Sequence, residues 1–282
     1  MGRFRAVSVR QRTLTGEGRR VFLQTVEPSR PWASLLFLHA ALLHSAYYLP
    51  FAQTLASCGI RVWLPDLAGH GRAPGGRGQT GTWQGHLQDA SMVWRRLEMQ
   101  RRAGLLAVGG EGYGALLAYR AAHEDRLDAD ALVMLAPSVS LTHKMPNWAE
   151  KLVDVMGLRW PALVLPSKPP VKWLTKDGGL QTRILHDPLC PRRVPLSLLH
   201  AVLEAERNLP APRPDLPMLS LLSAGDALAD SRAAERLLGH GPMSSVDWVP
   251  HPGHSLATER PDLVRALIPE WLKRQTACRH GA

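Results

Sequence analysis

Residues 105–122 read Leu105-Leu106-Ala107-Val108-Gly109-Gly110-Glu111-Gly112-Tyr113-Gly114-Ala115-Leu116-Leu117-Ala118-Tyr119-Arg120-Ala121-Ala122. Residues 105–108 form a short unbroken apolar run, the pattern of a strand buried on both faces. Residues 114–122 are rich in small side chains and predict a helix. The turn between them, residues 109–113, has glycine at three of its five positions. Gly110 and Gly114 stand where a strand and the helix that follows it cross too closely for side chains.

On either side the same alternation repeats. Residues 34–39 and 61–64 predict strands, and residues 48–58 predict a helix stopped by Gly59. A Gly-rich loop covers residues 68–81. Residues 82–102 carry Trp83, Leu87, Met92, Val93 and Leu97 at helical spacing and close at Gly104. Residues 131–136 predict another strand. Strands separated by single helices imply right-handed crossovers and a parallel sheet. The pattern then breaks: residues 137–217 are rich in Pro and show only two helical stretches, 148–156 and 196–208. It resumes with a strand at 218–223, a helix at 231–238, a strand at 245–249 and a helix at 261–274. Both flanks are needed to complete the sheet. The expectation is therefore a single domain over residues 1–282, with a cap inserted at about 137–213.

The composition, with 45% hydrophobic and 21% charged residues in a chain of 282, is that of a globular protein. It excludes a long disordered chain. The three cysteines, Cys58, Cys190 and Cys278, form no C-x-x-C pair. They offer no zinc or thioredoxin-type motif and suit a reducing compartment. No apolar run is long enough to span a bilayer, and the basic start at Met1–Arg5 is not followed by a signal-peptide core. A cytoplasmic protein is expected, at most peripheral to a membrane. The net charge of +10 comes mainly from arginine, with only six lysines. The arginines are scattered from Arg3 to Arg279, with no run of five. They mark no nucleic-acid motif and at most assist contact with an anionic membrane.

Ligands of open parallel sheets bind at the carboxyl ends of the strands. Three loops stand there. The turn after residues 105–108 has the form G-x-S-x-G of a nucleophile elbow, with Gly112 in the serine's place. The loop after 218–223 carries Asp226, with Asp230 as a rival acid better suited to capping the next helix. The loop after 245–249 carries His251 and His254, of which His254 is preferred. An acid that accepts a hydrogen bond from one ring nitrogen of a histidine fixes its tautomer. The chain order of elbow, acid and histidine is that of the α/β-hydrolases.

With these residues in place the chain resembles the monoacylglycerol lipase and lysophospholipase branch of the α/β-hydrolases, the serine-aminopeptidase-like (S33) group. The family pattern H-G-x-G-E-H-S-x-x-Y stands here as His39-Ala40-Ala41-Leu42-Leu43-His44-Ser45-Ala46-Tyr47-Tyr48. The pattern D-x-x-G-H-G-x-S-x-G-x-R stands as Asp66-Leu67-Ala68-Gly69-His70-Gly71-Arg72-Ala73-Pro74-Gly75-Gly76-Arg77. His186-Asp187-Pro188-Leu189 and the helix after it match the family's cap, and the Asp226 and His254 stretches match as well. The resemblance covers about residues 20–275. It implies an α/β-hydrolase fold, a mostly parallel sheet flanked by helices, with a helical cap after the sixth strand. It implies hydrolysis of a carboxylic ester, a small apolar or lipid ester ligand, and neither cofactor nor metal. Asp226 would orient His254, His254 would shuttle the proton, and the backbone N–H groups of Ala41 and Tyr113 would form the oxyanion hole.

The departures fall on the chemistry. Without a hydroxyl at 112 there is no acyl-enzyme by the usual route, and the loss of one triad member leaves only the residual effect of oxyanion hole and binding. The oxyanion loop has lost its glycines. Three readings of Gly112 stand side by side. The chain is a non-catalytic relative (a pseudoenzyme) that keeps the pocket for a ligand or partner, or it is an otherwise active hydrolase with Ser changed to Gly. In the third, it runs a reaction that needs only Asp226 and His254. Glu111 is expected to point away from the site. Ser45, Ser138 and Ser255 are candidates to line the pocket, chiefly as hydrogen-bonding residues. Asp66, His70 and Asp89 are expected to brace loops. Cys58 and Cys190 read as packing thiols. Trp148, Trp160 and Trp173 are expected to line an acyl tunnel or fill the core of the cap.

Overall fold

The computed structural model describes residues 7–101, 104–124, 127–164 and 169–280, the last three by backbone alone. Arg3, Arg102 and the side chains of Cys278 and Arg279 fall outside the described residues.

Among the described residues eight strands form one sheet: β1 (Val7–Gly16), β2 (Arg19–Pro28), β3 (Ala33–Leu38), β4 (Ile60–Asp66), β5 (Leu105–Glu111), β6 (Ala131–Leu135), β7 (Met218–Ser223) and β8 (Ser244–Val249). Their order is β1-β2-β4-β3-β5-β6-β7-β8. From β4 to β8 every neighbouring pair is parallel, while β1 and β2 are antiparallel additions at one edge. The helices are α1 (Leu49–Ser57), α2 (Trp83–Glu98), α3 (Tyr113–His123), α4 (Asn147–Arg159), α5 (Val171–Leu174), α6 (Gly178–His186), α7 (Leu196–Glu206), α8 (Ser231–Leu238), α9 (Leu256–Glu259) and α10 (Pro261–His280). β3 to β7 are buried along their whole length, so they read as largely apolar runs rather than alternations.

The sequence pattern places the parallel strands and their helices within a few residues and misses the β1–β2 hairpin. Most of β1 is exposed, with Arg10, Gln11 and Arg12 in its middle, so it presents little apolar alternation. The signal is in the turn: Glu17 and Gly18 both have positive φ (52° and 71°), the two-residue geometry that matches strand twist in a hairpin. β5 also runs three residues beyond Val108 and carries Gly109, Gly110 and Glu111 into the sheet. The crossing expected at the elbow is there. A Cβ on Gly110 would strike the Gly114 carbonyl, and one on Gly114 would strike the Leu38 carbonyl oxygen.

The cap lies between β6 and β7, after the sixth strand. α4 and α7 are the two helices read from the sequence. α6 was not legible, because Gly178 and Gly179 open it; its start is fixed by Asp177, whose side chain accepts from Leu180 N–H. α7 packs on α4 through Val153, Leu196 and Leu203. The tryptophans overturn their expectation. Trp148, Trp160 and Trp173 are 70%, 52% and 39% exposed, so they fill neither a cap core nor a tunnel. Helical spacing sets which residues share a face but not which face meets solvent.

Candidate active site

The loops at the carboxyl ends of β3, β5, β6, β7 and β8 converge under the cap. Gly112 is the N-cap of α3, at φ 57° and ψ −118°. That backbone is open to glycine and strained for other residues by about 1–3 kcal/mol. Tyr113 is the first residue of α3, so its N–H is one of the donors a helix leaves unpaired at its start. The tyrosine ring points away and hydrogen-bonds His86 at 2.9 Å.

Asp226 and His254 meet. His254 Nδ1–H donates to Asp226 Oδ2 at 2.7 Å, and both side chains are 1% exposed. The other oxygen of Asp226 accepts from the N–H groups of Leu228 and Ala229 at 2.8 and 2.9 Å, which fixes the carboxylate. Burial opposes charging the His254 ring. The Asp226 carboxylate outweighs it, with a smaller contribution from Glu111, and the pKa lies above its ordinary value. His251 turns elsewhere, toward Glu259 at 3.6 Å, and Asp230 caps α8 through Ala233 N–H.

The relation of His254 to Gly112 was not legible in the sequence. A Cβ built on Gly112 would lie 2.5 Å from His254 Nε2 and 3.5 Å from Ser138 Oγ. The imidazole has thus packed into the space beside a residue with no side chain. Its Nε2 is buried and has no hydrogen-bond partner among the described residues.

Glu111 does turn away from the pocket. It is fully buried, accepting from Tyr48 O–H at 2.8 Å and from Ala257 N–H at 2.8 Å. Tyr48 in turn accepts from Ala40 N–H at 3.1 Å, so the elbow strand holds the loop after β3 through one phenol. Burial pushes the Glu111 carboxyl up to about 7. His39, His70 and His86 meet in a row of tilted and edge-on ring contacts by the same loop, and His70 Nε2 lies 2.8 Å from the Ala41 carbonyl. Asp66 accepts from Ser45 N–H and Arg72 N–H, and Asp89 accepts from Ala68 N–H and Arg19.

Ala41, Tyr113, Ser138 and His254 line one cavity of about 110 Å³, closed by Leu174, Leu198 and Leu228 among others. Its wall is almost wholly apolar. A larger cleft lies by Arg10, Glu27, Arg61 and Arg101, at the far end of the sheet; it is open and polar and touches none of these residues. Ser45 and Ser255 do not reach the cavity wall: Ser45 accepts from Gln24, and Ser255 is buried with its hydroxyl unpaired among the described residues. His44, Asp187 and Cys190 bring ligand-type atoms within 4.8 Å of one another. His44 and Tyr47 already hydrogen-bond Asp187 at 3.1 Å each, and burial pushes the Cys190 thiol up to about 12. That cluster ties the cap to the loop after β3.

A sequence profile described as serine aminopeptidase, S33, matches residues 29–261. No curated protein matches the chain. Among solved structures, a monoacylglycerol lipase of Paleococcus ferrophilus superposes with a TM-score of 0.79 at 21% identity, over 90% of this chain and 99% of its own. A soluble variant of monoglyceride lipase from Saccharomyces cerevisiae, in complex with a substrate analog, gives 0.81 at 14% identity over 95% and 96%. A thermostable carboxyl esterase of Bacillus coagulans, in complex with glycerol, gives 0.74 at 16% identity over 95% and 98%. These likenesses establish the fold, and the profile, spanning most of the chain, establishes that the protein belongs to the serine aminopeptidase S33 family of α/β-hydrolases.

Proposed function

We propose that this chain is a monoacylglycerol-lipase-like α/β-hydrolase that holds an apolar acyl ester under its cap and has lost the elbow nucleophile at residue 112, which leaves ester hydrolysis far below ordinary enzyme turnover. The observation that carries the reading is the pairing of an intact Asp226–His254 dyad with Gly112. The base is oriented at 2.7 Å by its acid, yet no hydroxyl stands at the elbow for it to deprotonate. In an active relative the residue at 112 would attack. His254 would carry the proton, and the N–H groups of Ala41 and Tyr113 would receive the developing oxyanion. The apolar wall favours an acyl chain. At about 110 Å³ the cavity takes only a short one, and a longer chain requires the cap to open.

A peripheral contact with anionic membrane belongs to the same reading. Trp148, Leu152, Val155 and Arg159 follow one another at i, i+4, i+7 and i+11 along α4 and are exposed, with Trp160 and Lys151 beside them. An apolar stripe edged by cations fits an interface of acyl chains and acidic headgroups. The described residues contain no helix long and apolar enough to cross a membrane.

The test is a pair of measurements on the full chain. A non-hydrolysable monoacylglycerol ether should bind and displace a fluorescent fatty acid from the cavity. Hydrolysis of p-nitrophenyl butyrate should stay well below about 1 s⁻¹, the lower end of ordinary enzyme turnover. Turnover at or above that value overturns the loss at residue 112. Absence of ether binding overturns the pocket.

A further inference from the structure

Ser138 closes the other side of the elbow. It follows β6, and its N–H donates to the Gly112 carbonyl at 3.2 Å. Its Oγ and His254 Nε2 face the same point, 3.5 and 2.5 Å from where a Cβ at 112 would sit. Both residues line the apolar cavity together with Ala41 and Tyr113. His254 Nε2 is buried without a partner among the described residues, an arrangement that is rare in folded proteins. Two residues before Ser138, Ala136 holds φ at 41°, a conformation rare and strained for alanine. Gly112 bears no such strain; the end of β6, which aims Ser138, does.

We propose that Ser138 is the nucleophile of this site, with His254 as its base and Asp226 as the acid that orients the ring. The proposal rests on the reading of the cavity as an ester site. Ser138 Oγ attacks the ester carbonyl carbon, and its proton passes to His254 Nε2. The bond to the alcohol oxygen then breaks, and His254 returns the proton to that oxygen. An acyl group stays on Ser138. Water attacks it, again losing a proton to His254, which returns it to Ser138 Oγ as the acid departs. Ester and water become acid and alcohol, and nothing is oxidised or reduced. The Oγ–Nε2 hydrogen bond is not formed in this structure, and a change of the Ser138 side-chain rotamer or a swing of the ring has to close it when substrate binds. The Tyr113 N–H adjoins residue 112 rather than 138, so an oxyanion formed from Ser138 is less well served and the route is slow.

The experiment exposes the unaltered chain to a reporter-bearing fluorophosphonate, followed by digestion and mass spectrometry. The adduct is expected on Ser138. Ser138→Ala should abolish it, and His254→Ala should slow it by about 10²–10⁴-fold. Ser255→Ala, whose hydroxyl is buried off the cavity wall, should leave it unchanged. Circular dichroism confirms that each variant is folded. An adduct on another residue, equal labelling of Ser138→Ala, or no labelling of the folded chain overturns the proposal. Displacement of the fluorescent fatty acid by the monoacylglycerol ether separates two failures. Binding without a Ser138 adduct overturns the relocated nucleophile alone, whereas loss of both overturns the ester site too.

Discussion

At residue 112 the absence of a side chain has two consequences with opposite signs. Glycine relaxes a backbone at φ 57°, and it lets His254 Nε2 come within 2.5 Å of the missing Cβ. Any Cβ there must push the ring back against Asp226. Gly112→Ala is therefore expected to destabilise the fold by about 1–3 kcal/mol, from strain alone. Thermal unfolding checks this; an unchanged or raised Tm would contradict the strain read from the backbone at residue 112. His254 adds a prediction in pH. Only the neutral ring accepts a proton, and its pKa is held above the ordinary 6.5. Fluorophosphonate labelling should thus rise with pH through a midpoint above that value. A midpoint below 6.5 would show that burial, not Asp226, governs the ring. The identities of Gly112, Asp226 and His254 were legible in sequence because each sits in a loop at the end of a strand. The ring's approach to Gly112 was not, since it is set by packing between loops distant in the chain.

Among the elements, the loop after β3 is held by Tyr48, the tyrosine that closes the H-G-x-G-E-H-S-x-x-Y pattern; the pattern marks the residue but not what it bonds. The Tyr48 hydroxyl joins Ala40 N–H to Glu111, from the turn before α1 across to β5. Tyr48→Phe leaves the Ala40 N–H without its partner and removes one of the two hydrogen bonds to the Glu111 carboxyl, at about 1–3 kcal/mol for the unpaired buried group. It should lower Tm and weaken binding of the monoacylglycerol ether, because Ala40 and Ala41 line the cavity. Calorimetry reads both effects, and full affinity in a folded variant would show that the loop is held by other contacts. In α4 the helical period was readable and its orientation was not. Trp148→Ser with Val155→Ser should reduce sedimentation with vesicles of anionic phospholipid, and raised salt should reduce it for the unaltered chain. Equal sedimentation would remove the membrane from the proposed function. β1 and α6 escaped a reading by pattern for separate reasons: one is an exposed edge strand, the other a helix that opens on two glycines.

Across the whole molecule, buried titratable groups set the response to acid. His39, His70 and His86 are fully buried, and burial pushes each down from 6.5 to about 3. Between those values the unfolded chain binds protons that the folded chain does not, so stability falls as pH drops. Glu111 and Glu206 are pushed up by burial from 4.5 to about 7 and act in the opposite sense within that window. From pH 6.5 to 4.5 the two effects partly cancel; below 4.5 the histidines act unopposed by these glutamates. Tm should therefore fall most steeply between about pH 4.5 and 3. A flat profile there would mean that the three rings are already charged in the fold. The net charge of +10 enters this balance only diffusely, since the arginines are spread over the chain.

The site as a whole is tested most directly by steady-state hydrolysis of p-nitrophenyl butyrate, comparing the unaltered chain, Gly112→Ser, and Gly112→Ser combined with His254→Ala. The expected result is turnover well below about 1 s⁻¹ for the unaltered chain, a gain of tenfold or more on Gly112→Ser, and loss of that gain in the double variant. Turnover of about 1 s⁻¹ or more by the unaltered chain, with no gain from Gly112→Ser, would show that residue 112 is not where this site lost its chemistry.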